Sequence, residues 1–158
     1  MNFGIGRLSE VFKIINYFIL FYIYNSYYQV IMNYSQQLKI WNCDTNVKNA
    51  SENIKLIYKN RISNILFLSH HRQYYEAIAI YRKCANTYKN MAKTFYTINM
   101  ILHNKLCIEL FEKAGNNFLN SYNLLIKYKY VGAENAKTKD IIDAGYCFFY
   151  SKLCSDKK

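Results

Sequence analysis

Proline is absent from the 158 residues, and glycine occurs only five times. A β-rich domain of this length needs more turn residues than that, and a chain without proline has few means of stopping a helix. The composition therefore favours an all-α fold. The motifs that carry most enzyme chemistry are missing too. There is no G-x-x-x-x-G-K-[ST], no G-x-G-x-x-G, no G-x-S-x-G and no H-E-x-x-H. Acidic residues number 10 against 21 Lys and Arg, and they are scattered. Glu109 and Glu112 share a helix face, with no evident His or Lys partner for acid–base work. These absences argue against an enzyme, and no catalytic or cofactor-binding residue is assigned. The five cysteines, Cys43, Cys84, Cys107, Cys147 and Cys154, are odd in number and form no C-x-x-C pair. Neither a disulfide framework nor a zinc site is indicated, and a reducing, cytosolic setting fits best. His70, His71 and His103 lack metal-ligand partners at the required spacing.

What is present is a folding chain with a cationic surplus. Hydrophobic residues make up 52%, enough for one ordinary domain with a sizeable core. Asn and Ile (19 each) and Lys and Tyr (17 each) fill nearly half of the chain. All four are encoded by A/T-only codons, so a lone Lys, Asn or Tyr carries little weight. The net charge is +11, divided as +1 over residues 1–44, +7 over 45–113 and +3 over 114–158. Such a surface suits acidic proteins, lipid head groups or nucleic acid. No nucleic-acid motif accompanies the charge, so no nucleic-acid partner is expected.

Residues 1–45 differ in character from the rest of the chain. VFKIINYFILFYIYNSYYQVIM (11–32) is rich in apolar residues, but its uninterrupted run is only Tyr17–Tyr24. A membrane span needs ~20 mostly apolar residues, and no clean cleavage site marks a signal peptide. The segment is read first as an extension of uncertain status, then as a membrane anchor, then as a signal peptide. From Ala50 the periodicity is helical, with Ile54, Ile57 and Tyr58 on one face. The strongest stripe is Tyr74, Ala77/Ile78, Tyr81, Cys84/Ala85, Tyr88 and Met91/Ala92, with Arg82, Lys83, Lys89 and Asn90 largely outside it. Further stripes are Cys107, Leu110/Phe111, Ala114, Phe118, Ser121/Tyr122, Leu125, Tyr128, and then Ile141, Ala144/Gly145, Phe148, Lys152/Leu153. Gly132 in the segment between them is a plausible helix stop. The spacing predicts antiparallel helices near 50–60, 73–93, 106–130 and 135–153. CANTY (84–88), AGNNF (114–118) and AGYCF (144–148) recur at 30-residue steps. Each puts small residues ahead of an aromatic, as stacked helical hairpins need.

YEAIAIYRKCANTYKNMAK (75–93) resembles the second helix of the soluble NSF attachment proteins (SNAPs), most like the alpha type, at Glu76, Ala77, Ile80, Tyr81, Ala85, Asn86, Tyr88, Lys89, Ala92 and Lys93. KAGNNFLNSYNL (113–124) and DIIDAGYCF (140–148) resemble two later segments of that family, in the right order. The resemblance covers roughly residues 50–158. It implies an all-α, TPR-like antiparallel helical-hairpin solenoid over 46–158, truncated to the family's N-terminal part, with an insertion near 94–107. On that reading Ala77, Tyr81, Ala85, Tyr88, Ala114, Gly115, Phe118, Ala144, Gly145 and Phe148 pack the helices. Ile62, Ile65, Leu66, Phe67 and Leu68 take the place of the family's membrane-attachment loop.

The implied function is an adaptor in vesicle-mediated transport. It links SNARE proteins, as a syntaxin-type bundle, to the NSF ATPase hexamer for SNARE disassembly. It has no catalysis of its own, and it is cytoplasmic and peripheral on membranes. Family members are longer, so this part is expected not to stimulate the ATPase, and its SNARE-gripping residues are unassigned. The alternatives are a non-functional truncated fragment, or a small membrane-anchored helical protein using residues 11–32.

Overall fold

The computed structural model describes the backbone of residues 5–59, 67–128 and 132–156, and side chains at 13–23, 34–58, 71–97, 104–128 and 132–156. The protein is all-α, with no strand among the described residues. Its helices are α1 (Ile5–Lys59), α2 (Phe67–Lys127) and α3 (Glu134–Ser155). By contact, the chain forms two compact units, Met1–Leu38 and Lys39–Lys158. The second starts seven residues earlier than the boundary read from sequence, so Cys43 and Asp44 fall inside it. In the first unit, every described residue from Lys13 to Ile23 is exposed.

Within the second unit, α1 contributes a stripe at Cys43, Val47, Ala50, Ile54 and Ile57, spaced alternately by four and three residues. All but the half-buried Val47 are buried. That spacing keeps one face of a 3.6-residue helix turned inward. The helix expected at 50–60 is therefore the last part of a longer one, since no proline or glycine between Gly6 and Gly115 interrupts the ladder.

The helical run of α2 contains both the second and third expected helices and the insertion at 94–107, which is helical throughout. It is not one straight rod. A rise of about 1.5 Å per residue would put Ala92 and Cys107 about 22 Å apart, yet the Cys107 thiol lies 3.8 Å from the Ala92 carbonyl. The rings of Tyr74 and Tyr128 stack with centroids 3.7 Å apart. Both pairs are centred near residue 100, so α2 folds back there into two antiparallel arms. The first arm buries Tyr74, Ala77, Ile78, Tyr81, Cys84, Ala85, Tyr88, Met91, Ala92 and Phe95. The second buries Cys107, Leu110, Phe111, Ala114, Phe118, Ser121, Leu124 and Leu125. Burying each large apolar side chain contributes about 1.5–3 kcal/mol, which makes this seam the main source of cohesion.

Gly132, with φ 78°, turns the chain from α2 into α3 in the left-handed region that glycine enters without steric cost. The inward face of α3 is Asp140, Ala144, Cys147, Ser151 and Cys154. This corrects the stripe expected from hydrophobicity. Ile141, Gly145 and Lys152 are exposed and Phe148 is half-buried. The face is displaced by one residue because Asp140 and Ser151 find polar partners inside, which an apolar pattern cannot register.

Two glycines inside helices have opposite surroundings. A Cβ added at Gly115 would come within 2.8–3.1 Å of the Phe148 ring, so α3 sits its aromatic directly over a notch in α2. A Cβ at Gly145 would meet nothing within 4 Å. We predict that Gly115→Val destabilises the protein by about 1–3 kcal/mol through overpacking. A double-mutant cycle with Phe148→Ala should recover part of that loss. Gly145→Ala, in open helix interior, should instead stabilise by about 0.5–1 kcal/mol. Denaturant midpoints check both signs.

Candidate functional site

The first arm of α2 presents Arg82 one step away from its apolar stripe, where the side chain reaches α3. Arg82 Nε donates to Asp140 Oδ1 at 3.0 Å and to Oδ2 at 3.1 Å, and Nη2 donates to Oδ2 at 2.9 Å. The same Nη2 also donates to the Ala136 carbonyl at 3.1 Å. From the second arm, Ser121 Oγ donates to Asp140 Oδ2 at 2.7 Å. Asp140 is only 2% exposed. A buried carboxylate is costly unless charge and hydrogen bonds surround it, and here the donors come from both arms of α2. Its lone pairs are thus committed to holding α3 in place rather than free for proton transfer.

Two further ion pairs run alongside. Lys89 donates to Asp143 Oδ1 at 2.9 Å and lies 5.1 Å from the centre of the Phe118 ring. Lys113, on the second arm, bonds both oxygens of Asp44 in α1 at 3.0 and 3.1 Å, and pairs with Glu109 at 3.1 Å. Its pKa is raised: burial works against the charge, but the bonds to Asp44 and Glu109 outweigh it. Tyr88 Oη donates to Asp44 Oδ1 at 2.6 Å. Burial, followed by that bond to a carboxylate, raises the phenol strongly. Glu109 thus has a lysine partner one helical turn on, and Glu112 accepts from Ser151 at 3.3 Å. The four-residue spacing of Glu109 and Lys113 is readable in the sequence, whereas Ser151, 39 residues from Glu112, is not.

Of the packing residues expected from sequence, Ala77, Tyr81, Ala85, Tyr88, Ala114, Phe118 and Ala144 are buried. Gly115 and Phe148 meet across the second arm and α3, whereas Gly145 faces outward. Ile62, Ile65 and Leu66 lie outside the described residues, as do the side chains of Phe67 and Leu68. Arg82, Asp140, Ser121, Asp44 and Lys113 were missed as a group. The available signal was two acids, Asp140 and Asp143, in a chain with few acids. Lys83 and Asn90 are exposed as expected, but Arg82 and Lys89 are half-buried in ion pairs.

Beside the Lys113–Asp44 pair, a cleft of about 500 Å³ opens between α1 and the second arm, walled by Lys48, Ser51, Glu52, Lys55 and Asn117. A second, of about 390 Å³, lies between α1 and the first arm, at Asn53, Leu56, Gln73 and Glu76. Both are open grooves with mixed polar and apolar walls. No cluster of His, Cys, Asp and Glu able to hold a metal ion occurs among the described residues. All five cysteines are buried thiols. Among the described residues, no helix is long and apolar enough to cross a membrane. In comparisons with family models, curated proteins and solved structures, nothing matches the chain.

Breaking the Asp140 lock should be expensive. We predict that Asp140→Ala costs about 2–4 kcal/mol, because it strands Arg82 and Ser121 at a helix junction. Glu76→Ala, which removes the exposed i,i+4 pair with Arg72, should cost under about 0.5 kcal/mol. Chemical denaturation of the two variants compares them directly.

The thiols give a pH signature. Burial pushes Cys84 from 9.0 up to about 12, and Cys107 and Cys147 up to about 11. The folded chain keeps protons there that the unfolded chain releases near pH 9. Their contribution to stability is therefore whole below pH 9 and is lost as pH rises towards 11 and 12. The expected result is a denaturant midpoint that falls steadily above pH 9. Cys107→Ala and Cys147→Ala should each flatten part of that slope.

Proposed function

We propose that residues 46–158 form a SNAP-type stack of TPR-like helical hairpins. The stack serves as an adaptor that links a syntaxin-type SNARE bundle to the NSF ATPase hexamer in vesicle-mediated transport. It works at the cytoplasmic face of membranes and carries out no chemistry of its own. The observation that carries this reading is the order of neighbours. Ser121–Asp140 and Glu112–Ser151 run in opposite directions, so α3 is antiparallel to the second arm of α2. Arg82–Asp140, Lys89–Asp143 and Tyr96–Tyr150 run in the same direction, so α3 is parallel to the first arm.

The end of α1 repeats the pattern one step earlier. It is antiparallel to the first arm through Asp44–Tyr88 and Tyr58–Tyr74. It is parallel to the second through Asp44–Lys113 and Tyr58–Tyr128. Each stretch is thus antiparallel to the next and parallel to the next but one, with side chains touching in both cases. Stacked helical hairpins have that relation, as does an up-and-down bundle, and the resemblance favours the former. The segments 75–93, 113–124 and 140–148 supply the family resemblance, and the cationic surplus suits an acidic helical bundle.

A pull-down of the full chain with an assembled syntaxin-type SNARE bundle tests the proposal. The expected result is binding to the bundle that weakens as salt rises and is not seen with the isolated syntaxin helix. No binding to the bundle at low salt would sink the adaptor reading.

A further inference from the structure

We propose that the helical segment Ile14–Ile23 inserts into the hydrocarbon of an anionic lipid bilayer. Nine of its ten residues are large and apolar, and all nine are between 47% and 81% exposed. Asn16 is the single polar residue, and Lys13 stands immediately before the run. Successive residues of an α-helix are turned by about 100°, so ten residues point in every direction around the axis. The exposed surface is therefore a sleeve and not a stripe.

That distinction identifies the occupant. A groove in a protein partner, or a second copy packed side by side, covers one face of a helix and leaves the opposite face in water. A bilayer surrounds the segment. Tyr17, one turn after Lys13 and strongly exposed, carries the kind of amphipathic ring that settles near the headgroup level. Lys13 and the chain's net charge of +11 complement anionic headgroups. The segment belongs to the unit Met1–Leu38, so the inference stands without the adaptor reading and without the loop at 62–68.

Flotation of the full chain with phosphatidylcholine vesicles, with and without phosphatidylserine, is the test. Wild type should float with the serine-lipid vesicles and float less as salt rises. Phe18→Asp combined with Phe21→Asp should lower the partition coefficient by about 10- to 100-fold. The melting temperature should be unchanged, because both side chains are already in water. Leu66→Ser with Phe67→Ser should leave most of the binding intact, which separates this segment from the loop.

As a second measurement, Phe18→Trp in a Trp41→Phe background should be quenched by brominated acyl chains. Three results overturn the proposal: wild type that does not float, a Phe18/Phe21 variant that floats as well as wild type, or no quenching at position 18. A stable oligomer that the Phe18/Phe21 variant dissolves and that vesicles do not bind would also overturn it, and would assign the sleeve to a second copy.

Discussion

A carboxylate withdrawn from water must collect its donors from whatever surrounds it, and Asp140 collects them from both arms of α2. Arg82 approaches from one arm and Ser121 from the other, while Arg82 also holds the Ala136 carbonyl one turn earlier in α3. One side chain thereby fixes three things: which face of α3 turns inward, how far α3 has slid along α2, and how far the two arms of α2 stand apart. Apolar contacts alone are non-directional and would accept several registers. The arrangement of charges accepts one. The ion pairs Lys89–Asp143 and Lys113–Asp44 extend the same logic to either side.

The apolar core then fills what this register leaves. Gly115 lies where the Phe148 ring of α3 descends, and Tyr88, Phe111 and Phe118 close the seam between the arms of α2. The cost is a glycine in a helix interior, about 1 kcal/mol against alanine. The close approach it allows offsets that cost. Gly145 incurs the same cost and meets nothing, so its place in a repeated small–small–aromatic pattern has no packing counterpart among the described residues.

Much of this could be read in advance. The stripe from Tyr74 to Ala92 is buried residue for residue, because periodicity reports burial well where the inward face is apolar. The same method misplaced α3 by one residue. Its inward face carries Asp140 and Ser151, and a hydrophobic pattern prefers Ile141 to an aspartate. Only knowing that Arg82 stands opposite makes that aspartate an interior residue, and no single-sequence signal pairs positions 58 residues apart. The reversal of α2 near residue 100 was legible as two antiparallel helices but not as continuous helical backbone. Residues 94–107 contain no glycine or proline, so the sequence offered no reason to end the helix and no signal for where it folds back.

The surface charge is set by the composition and not by these locks. Among the described residues Asp44, Asp140, Asp143, Glu76, Glu109 and Glu134 each pair with a cation. Of these six acids only Asp140 is buried, while Asp44 and Asp143 are half-buried and the three glutamates are exposed. Lys48, Lys55, Lys83, Lys105, Lys139 and Lys152 meanwhile stand exposed. Each internal pair takes one cation out of water with one acid, so the net charge of +11 is carried on the surface. Such a surface repels copies of itself and attracts anionic partners over about a Debye length, roughly 8 Å at physiological salt. An acidic helical bundle and an anionic membrane surface both answer that charge, and salt should weaken both encounters.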